Sequence, residues 1–440
     1  MATLTDLNPA IMTAIDRLQY RATVGDVATQ SGLNVAIAEQ GVLALAAQTG
    51  AQMQVTESGD IAYTFPQNFR STLQAKYWQL RLQAWWDGIS GTLFWIVRVM
   101  FGCSLFVVLF AILAVGFVMI TTMNSNDDNS SDSGGGSGGG WGGSHGGNSY
   151  NPGFGSWFIW SGDWLSFGGP KPHDDGKQLS FLETIFSFVF GDGNPNRNLE
   201  NRRWETIAQR ISQSGGAVVA EQLTPYLDVP LNKLDTDEDQ YVLPVLVRFN
   251  GSPQVTDDGQ LIYTFPELQK TVQTTAENDR INMIPDYLEE KSWKLSLGNP
   301  TLVTYAAMIG GLILILSLWF TGILPGPISA PAGILRSVSV GALAYSGFYL
   351  GLPTLRWLIQ GQKNNKIAAR NSDRFKRARQ LNTPDEVLEN KLIQSKTFQQ
   401  RLRIDQQPIA YDTDRDMLDQ DLEQKDKLDA EWQQRLEDRS

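Results

Sequence analysis

The sequence predicts a mainly α-helical fold with small β-hairpins: two winged-helix-like domains, a membrane helix bundle of three or four spans, and a helical C-terminal tail. Three observations carry this prediction. The segment QVTESGDIAYTFP at 54–66 returns 200 positions later as QVTDDGQLIYTFP at 254–266, and an internal repeat of this kind fixes the architecture before any motif is read. Each copy is followed by apolar runs, at 92–120 and then at 299–323 and 334–360, long enough to cross a hydrocarbon core of ~30 Å. Residues 124–156 are rich in Asp, Asn and Ser and then in Gly, a composition that forms a linker without a core.

The first domain is assigned to residues 1–66. Ile11, Ile15 and Leu18 have helical spacing after Asn8-Pro9, which predicts a helix over 8–19. Thr23 is the cap of a short second helix, 31–34 is the turn, and 35–48 is a third helix burying Val35, Ala38, Val42, Leu45 and Ala46. Alternation over 51–65 around Ser58-Gly59 predicts a hairpin. Residues 67–91 form a juxtamembrane helix mixing Arg70, Lys76 and Arg81 with Tyr77, Trp78, Trp85 and Trp86, a composition suited to the headgroup layer. Residues 92–122 are the first transmembrane helix, with Arg98 near its start expected to snorkel to the interface. The linker, 123–156, holds Gly-x-Gly patterns without the flanking strand and helix of a phosphate loop.

Residues 157–200 are dense in aromatics, both at 157–168 and at Phe181, Phe186, Phe188 and Phe190. Neither stretch spans a bilayer alone, which suits an interfacial or re-entrant segment. The second domain occupies 201–270: a first helix with Ile207 and Ile211, a short helix over 220–227, a third helix over 231–249 and a hairpin turning at Asp258-Gly259. Residues 299–360 form a transmembrane hairpin joined by a Pro- and Gly-containing loop. Gly310/Gly311 and Gly341/Ala342/Gly347 offer faces for close helix packing, and Arg356 beside Trp357 occupies an interfacial belt position. The tail, 362–440, opens with Lys363, Lys366, Arg370, Arg374, Lys376, Arg377 and Arg379 and then turns acidic and helical, with Leu388, Leu392, Leu418, Leu422 and Trp432 among dense charges.

Composition narrows function. The formal net charge is −11, which argues against a general nucleic-acid binder. Winged helices that bind DNA use Arg and Lys on the third helix. Here 35–48 carries only Glu39, and the second copy sets Asp235, Asp237, Glu238 and Asp239 against Lys233 and Arg248. There is one cysteine, Cys103, and two histidines, His145 and His173, so no catalytic constellation, cofactor site or metal site is expected. His173-Asp174-Asp175 reads as a solvated turn, and Asp163 as an acid facing headgroup water. The candidate contact points for other proteins are the hairpin tips, Glu57 and Asp60 in one copy and Asp257 and Asp258 in the other, together with Phe181, Phe186 and Phe190. Tyr63, Phe65, Tyr263 and Phe265 are assigned to core packing of the two hairpins.

The positive-inside rule places both the N-terminal domain and the tail on the cytoplasmic side. Three spans cannot satisfy both, so either 154–190 makes a further crossing or 92–120 is a re-entrant hairpin. The segments FLETIFSFVFGDGNPN (181–196) and RRWETIAQRISQSGGAVVAEQLTPYLD (202–228) resemble a family of uncharacterised membrane proteins of cyanobacteria and chloroplasts, across most of residues 15–360. The resemblance implies a thylakoid or plasma-membrane location in a phototroph and a role near photosynthetic complexes. Some plant members carry an iron–sulfur cluster biosynthesis label, but a lone cysteine cannot build a cluster site within one chain. The function expected is a non-enzymatic membrane scaffold or an assembly and maintenance factor. Its partners are the lipid bilayer and other membrane proteins, photosystem subunits among them, and self-association into a homo-oligomer stays open. The alternatives are a membrane-anchored winged-helix DNA-binding regulator and a small-solute transporter.

Overall fold

The computed structural model describes residues 8–76, 78–124, 179–228, 240–272, 284–323 and 330–420, with 422, 425, 429 and 432. In chain order the helices are α1 (Pro9–Arg17), α2 (Val24–Ser31), α3 (Val35–Thr49), α4 (Phe69–Lys76), α5 (Trp78–Asn124), α6 (Phe181–Phe190), α7 (Leu199–Gln213), α8 (Ala220–Leu223), α9 (Leu243–Phe249), α10 (Pro266–Gln269), α11 (Pro300–Ile323), α12 (Ala330–Asn382) and α13 (Glu386–Ser395). The strands are β1 (Arg21–Ala22), β2 (Gln52–Thr56), β3 (Ile61–Thr64), β4 (Ala217–Val218), β5 (Ser252–Val255), β6 (Leu261–Thr264), β7 (Lys270–Thr271), β8 (Leu402–Arg403) and β9 (Ile409–Asp412). The fold is mainly helical with small antiparallel sheets. It divides into one unit of Met1–Gln83, Asn196–Lys291 and Lys366–Ser440 and another of Ala84–Pro195 and Ser292–Asn365.

The first unit holds both copies of the repeat. In the first copy, the Asn8 side chain caps α1. Thr23 and Asp26 form a reciprocal capping box on α2, and Gly32 ends that helix at φ +62°, a conformation that glycine adopts without steric cost. The hairpins repeat in three dimensions. β3 lies between β1 and β2, and β6 between β4 and β5. Tyr63 faces Ala22 and Met53 as Tyr263 faces Val218 and Pro253. Thr56 and Thr256 each close the turn, accepting the glycine N–H at 2.9 and 2.8 Å. Tyr63, Phe65, Tyr263 and Phe265 are buried in one shared core with Ile15, Leu45, Ile211 and Phe249, so the repeated aromatics do fill the interior.

The copies diverge where proline stands. The expected helix over 220–227 stops at Leu223, because Pro225 has no N–H to continue it, and the chain goes on in tight turns. The third helix expected over 231–249 is observed as a single 3₁₀ turn, Gln240–Val242, leading into α9 with Pro244 in its first turn. Residues 231–239 lie outside the described residues. Proline restricts the residue before it away from the helical region and suits the start of a helix.

In the second unit, three helices are long and apolar enough to cross a membrane: Gly88–Thr122 within α5, Pro300–Ile323, and Gly333–Asn382 within α12. α5 runs unbroken for 47 residues, with no re-entrant hairpin over 92–120, and joins most of the juxtamembrane stretch to the transmembrane stretch in one helix. Met100, Val107, Phe110, Phe117 and Ile120 are exposed on α5, while Leu105, Ile112 and Val115 are buried. That division is an exposed apolar stripe opposite a packing stripe. α12 is likewise continuous for 53 residues, so the tail boundary placed at 362 falls inside a helix. Hydropathy drops there, but the residues that follow remain good helix formers. α6 is ten residues, a length of ~15 Å that cannot span. The aromatic stretch 157–168 lies outside the described residues. Of the small-residue faces, Gly310 sits where an added Cβ would come within 2.5 Å of the Tyr349 ring, whereas Gly311, Gly341 and Gly347 have nothing within 4 Å.

Candidate docking surfaces

The hairpin tips are largely taken by other parts of the same chain. The Glu57 N–H donates to the Pro408 carbonyl at 3.0 Å, and Ser58 Oγ lies 2.7 Å from the Gln407 side-chain amide. Asp60 is buried, accepts from Ser58 Oγ at 2.8 Å and pairs with Lys270 Nζ at 3.0 Å. Burial pulls the Lys270 ammonium down, but hydrogen bonds to Asp60 and Glu267 outweigh it and hold the group above its ordinary range. In the second copy Asp258 accepts from Gln394 on α13, and Asp257 is exposed. Of the four acidic tip residues, Asp60 is buried against Lys270, while Glu57, Asp257 and Asp258 are exposed, Asp258 with its carboxylate bonded to Gln394.

Phe181, Phe186 and Phe190 pack against α5. Phe186 meets Phe94 and Phe101 edge-on, each with centroids 5.8 Å apart, Phe190 lies 4.8 Å from Phe101, and Phe181 lies 6.1 Å from Phe106. A capping box of Ser180 and Glu183 starts α6. Gly102 admits its N-terminus, since a Cβ there would meet the Leu182 carbonyl at 2.6 Å. Edge-to-face geometry adds to apolar burial, so this block is primarily internal packing, with Phe190 still partly exposed.

Two polar clusters were not anticipated. In the second unit, Arg98 turns inward to Asp192 at 2.9 Å instead of snorkelling outward, and both side chains are mostly buried. Asp192 also accepts from Ser187 Oγ and from the Leu297 N–H at 2.9 Å. Arg356, assigned to the belt, instead donates to the carbonyls of Phe188, Val189 and Leu295 at 3.0, 2.9 and 3.1 Å. A guanidinium there satisfies carbonyls left open at the end of α6 and opposes its negative pole. The signal was available: each arginine interrupts an apolar run, and intramembrane charges usually face the bundle interior with a partner.

The second cluster lies in the first unit. Arg374 donates to Asp228, to Glu290 at 2.8 Å and to the Leu288 carbonyl at 2.7 Å. Arg370 grips Glu290 with two bonds of 2.8 and 2.6 Å, and Arg377 reaches the carbonyls of Thr224 and Leu227. The hydrogen bonds from Arg370, followed by Arg374, hold the Glu290 carboxyl below its usual range. Burial pushes Asp228 up, but Arg374 and Arg203 more than reverse it and leave the group lowered. Three of the seven bases read as a positive-inside signal, Arg370, Arg374 and Arg377, thus join this cluster.

The third helices expose large apolar side chains, on α3 beside the exposed Glu39 and Gln40. Ile37 and Leu43 on α3, and Leu243 and Val247 on α9, are exposed, and Leu43 and Leu243 are equivalent by the 200-residue offset. The helices adjoin where Asn34 Nδ2 donates to the Val247 carbonyl at 3.4 Å and Arg248 Nε to the Gly32 carbonyl at 2.8 Å. The Arg248 guanidinium also lies 4.5 Å from the Trp204 ring centroid. Among the described residues no three His, Cys, Asp or Glu side chains gather as a metal site. His145, Asp163, His173, Asp174 and Asp175 lie outside the described residues.

Fold and surfaces define the class: a mainly helical protein with three helices long and apolar enough to cross a membrane, carrying a duplicated helix-and-hairpin module. A chloroplastic protein of Arabidopsis thaliana described as uncharacterised is 32% identical over 452 residues, covering 99% of this chain and 83% of that protein. The chain belongs to that protein's family. No family model matches it, and no solved structure does.

Proposed function

We propose that the protein is a multi-pass scaffold, or an assembly and maintenance factor, of a photosynthetic membrane, with both modules and the tail on the cytoplasmic side. The chloroplastic relative and the three apolar helices support the location. The order helix, strand, helix, helix, hairpin supports reading each copy as a winged-helix type module. The single observation that carries the reading is the outward face of the two third helices. Ile37, Leu43, Leu243 and Val247 stand there, where a DNA-binding winged helix would present bases. A cluster of exposed apolar side chains is the ordinary mark of a protein-binding surface. The regulator alternative is disfavoured because Arg248, the base described on those helices, is engaged by Gly32 and Trp204.

The test is brief in-cell crosslinking followed by gentle solubilisation and mass spectrometry, comparing the native chain with a Leu43→Glu/Leu243→Glu variant. The reading expects membrane-complex subunits or assembly intermediates with the native chain and their loss with the variant. An unchanged set of captured proteins would overturn it. A gel shift with random-sequence DNA at low salt, where electrostatic binding is strongest, is expected to show nothing.

A further inference from the structure

The sheet of the first copy has a fourth strand that the second copy lacks among the described residues. β9 lies antiparallel beside β2, with Asp412 opposite Gln54 and Tyr411 opposite Val55. The Thr413 N–H donates to the Met53 carbonyl at 3.1 Å, and the Met53 N–H donates to Thr413 Oγ1 at 2.8 Å. The seam is otherwise polar: Gln54 Nε2 to Asp412 at 2.9 Å, Gln52 Nε2 to Asp414 at 2.7 Å, and Ser58 to Gln407. Ile409 stays 45% exposed, so the strand is held by ladder and amide bonds with little apolar burial. Such bonds are worth about 1 kcal/mol each, and an external strand can reproduce them. The apolar anchor lies upstream, at Ile404, which is buried with Ala62 and Val272.

The second copy shows why only one edge can be used this way. Pro253 occupies the position of Met53 and removes the outward N–H, a common way of blunting a sheet edge. The outer edge of β2, where β9 pairs, also has a chemical preference. Arg21 donates to Gln54 Oε1 at 2.9 Å, which fixes that amide with its NH2 group toward Asp412. Gln54 and Gln52 then present two donors matched to carboxylates two residues apart.

We propose that the β2 edge is a β-addition site for an extended acidic segment of another protein, and that residues 408–414 occupy it in cis as a displaceable competitor. Main-chain bonds would supply affinity and the amide pair selectivity, as in other strand-addition modes. This surface is separate from the third-helix face, so either reading can fail without the other.

The experiment uses the full-length protein in detergent, a chain ending after Gln406, and a full-length Tyr411→Pro variant that keeps every residue but cannot pair. The probe is a fluorescent synthetic peptide of residues 407–420, read by anisotropy. Both altered chains should bind it, and the native chain at least about tenfold more weakly, because a tethered strand competes at an effective concentration near millimolar. Adding Met53→Pro to either altered chain should abolish binding, as should a scrambled peptide, and Asp412→Asn/Asp414→Asn in the peptide should weaken it. Hydrogen exchange at Met53, Val55 and Glu57 should be slow in the native chain, fast in the altered chains and slow again with peptide. Absence of peptide binding by an altered chain with native helical content would overturn the proposal. So would equal binding by the native chain, or binding that survives Met53→Pro.

Discussion

Arg374 offers the sharpest test of what holds the first unit together. Its side chain is 2% exposed and is shared between Asp228 and Glu290, with Asp228 itself 47% exposed. Removing one partner of a buried ion pair costs roughly 3–5 kcal/mol. Glu290 keeps two bonds from Arg370, and the half-exposed Asp228 falls toward the surface regime of about 0–1 kcal/mol. The Leu288 carbonyl loses a partner for about 1 kcal/mol. Arg374→Ala should therefore destabilise by about 3 kcal/mol at neutral pH, the low end of the buried range. The pH dependence follows from the lowered carboxyls. Both Glu290 and Asp228 are depressed in the folded state. Their contribution is therefore complete above the ordinary carboxylate value near pH ~4 and is lost as pH falls through the folded values. The assay is hydrogen exchange of amides at 225–228 and 288–290 in the detergent-solubilised full chain, with Glu290→Gln completing a double-mutant cycle. Protection within about 0.5 kcal/mol of native, or a coupling energy near zero, would refute the reasoning, since contacting charges should couple by 0.5–3 kcal/mol.

Three further outcomes are expected. Gly310→Val should lower thermal stability of the solubilised protein by about 1–3 kcal/mol through overpacking against Tyr349, while Gly311→Val, facing open space, should leave it nearly unchanged. Arg356→Leu should free two carbonyls at the end of α6 and that of Leu295 at a cost of about 1 kcal/mol or more each, seen as faster proteolysis around 191–195. Burial raises the Asp26 carboxyl despite its bonds to Thr271, Thr23 and Val272, so its folded state favours the protonated form. Stability from this group is complete below the ordinary carboxylate value and declines as pH rises through the raised one, and Asp26→Asn should remove that slope in pH-dependent melts.

Local pattern made part of the molecule legible. The two hairpins, their glycine turns and the aromatic core are short-range features written twice, and the apolar runs state their own length. The clamps were not legible because their partners are distant. Arg374 and Asp228 are 146 residues apart, and a row of bases after an apolar run carries the same local appearance whether it faces phosphate or a buried acid. Strand β9 was missed for another reason. Ile-Ala-Tyr-Asp after Pro408 is too short to show an alternation, and it pairs as a strand with β2 beside it. At the hairpin tips the Glu57 N–H and the Asp258 side chain meet this chain's own tail, and Asp60 meets Lys270.

The packing of the two copies gives the arginine cluster a further meaning. Helix α2 of the first copy packs on α7, the first helix of the second, closely enough that a Cβ at Gly32 would meet the Glu205 nitrogen at 2.5 Å. The contact joins unlike surfaces, so it is head-to-tail, and such contacts continue until something occupies the next free face. The corresponding face of the second copy is α8 and the turn after it. There Arg377 takes the carbonyls of Thr224 and Leu227, the Leu288 N–H takes that of Pro225, and the Tyr226 hydroxyl donates to Pro285. The segment around 284–290 and the end of α12 thus cover that face. On this argument Arg374→Ala combined with Arg377→Ala does more than destabilise. It opens a face on which α1 of another molecule can dock as α7 does on α2, and the double variant should self-associate at lower concentration than the native protein. Sedimentation of a strictly monomeric double variant would show that the series is ended by something other than these arginines.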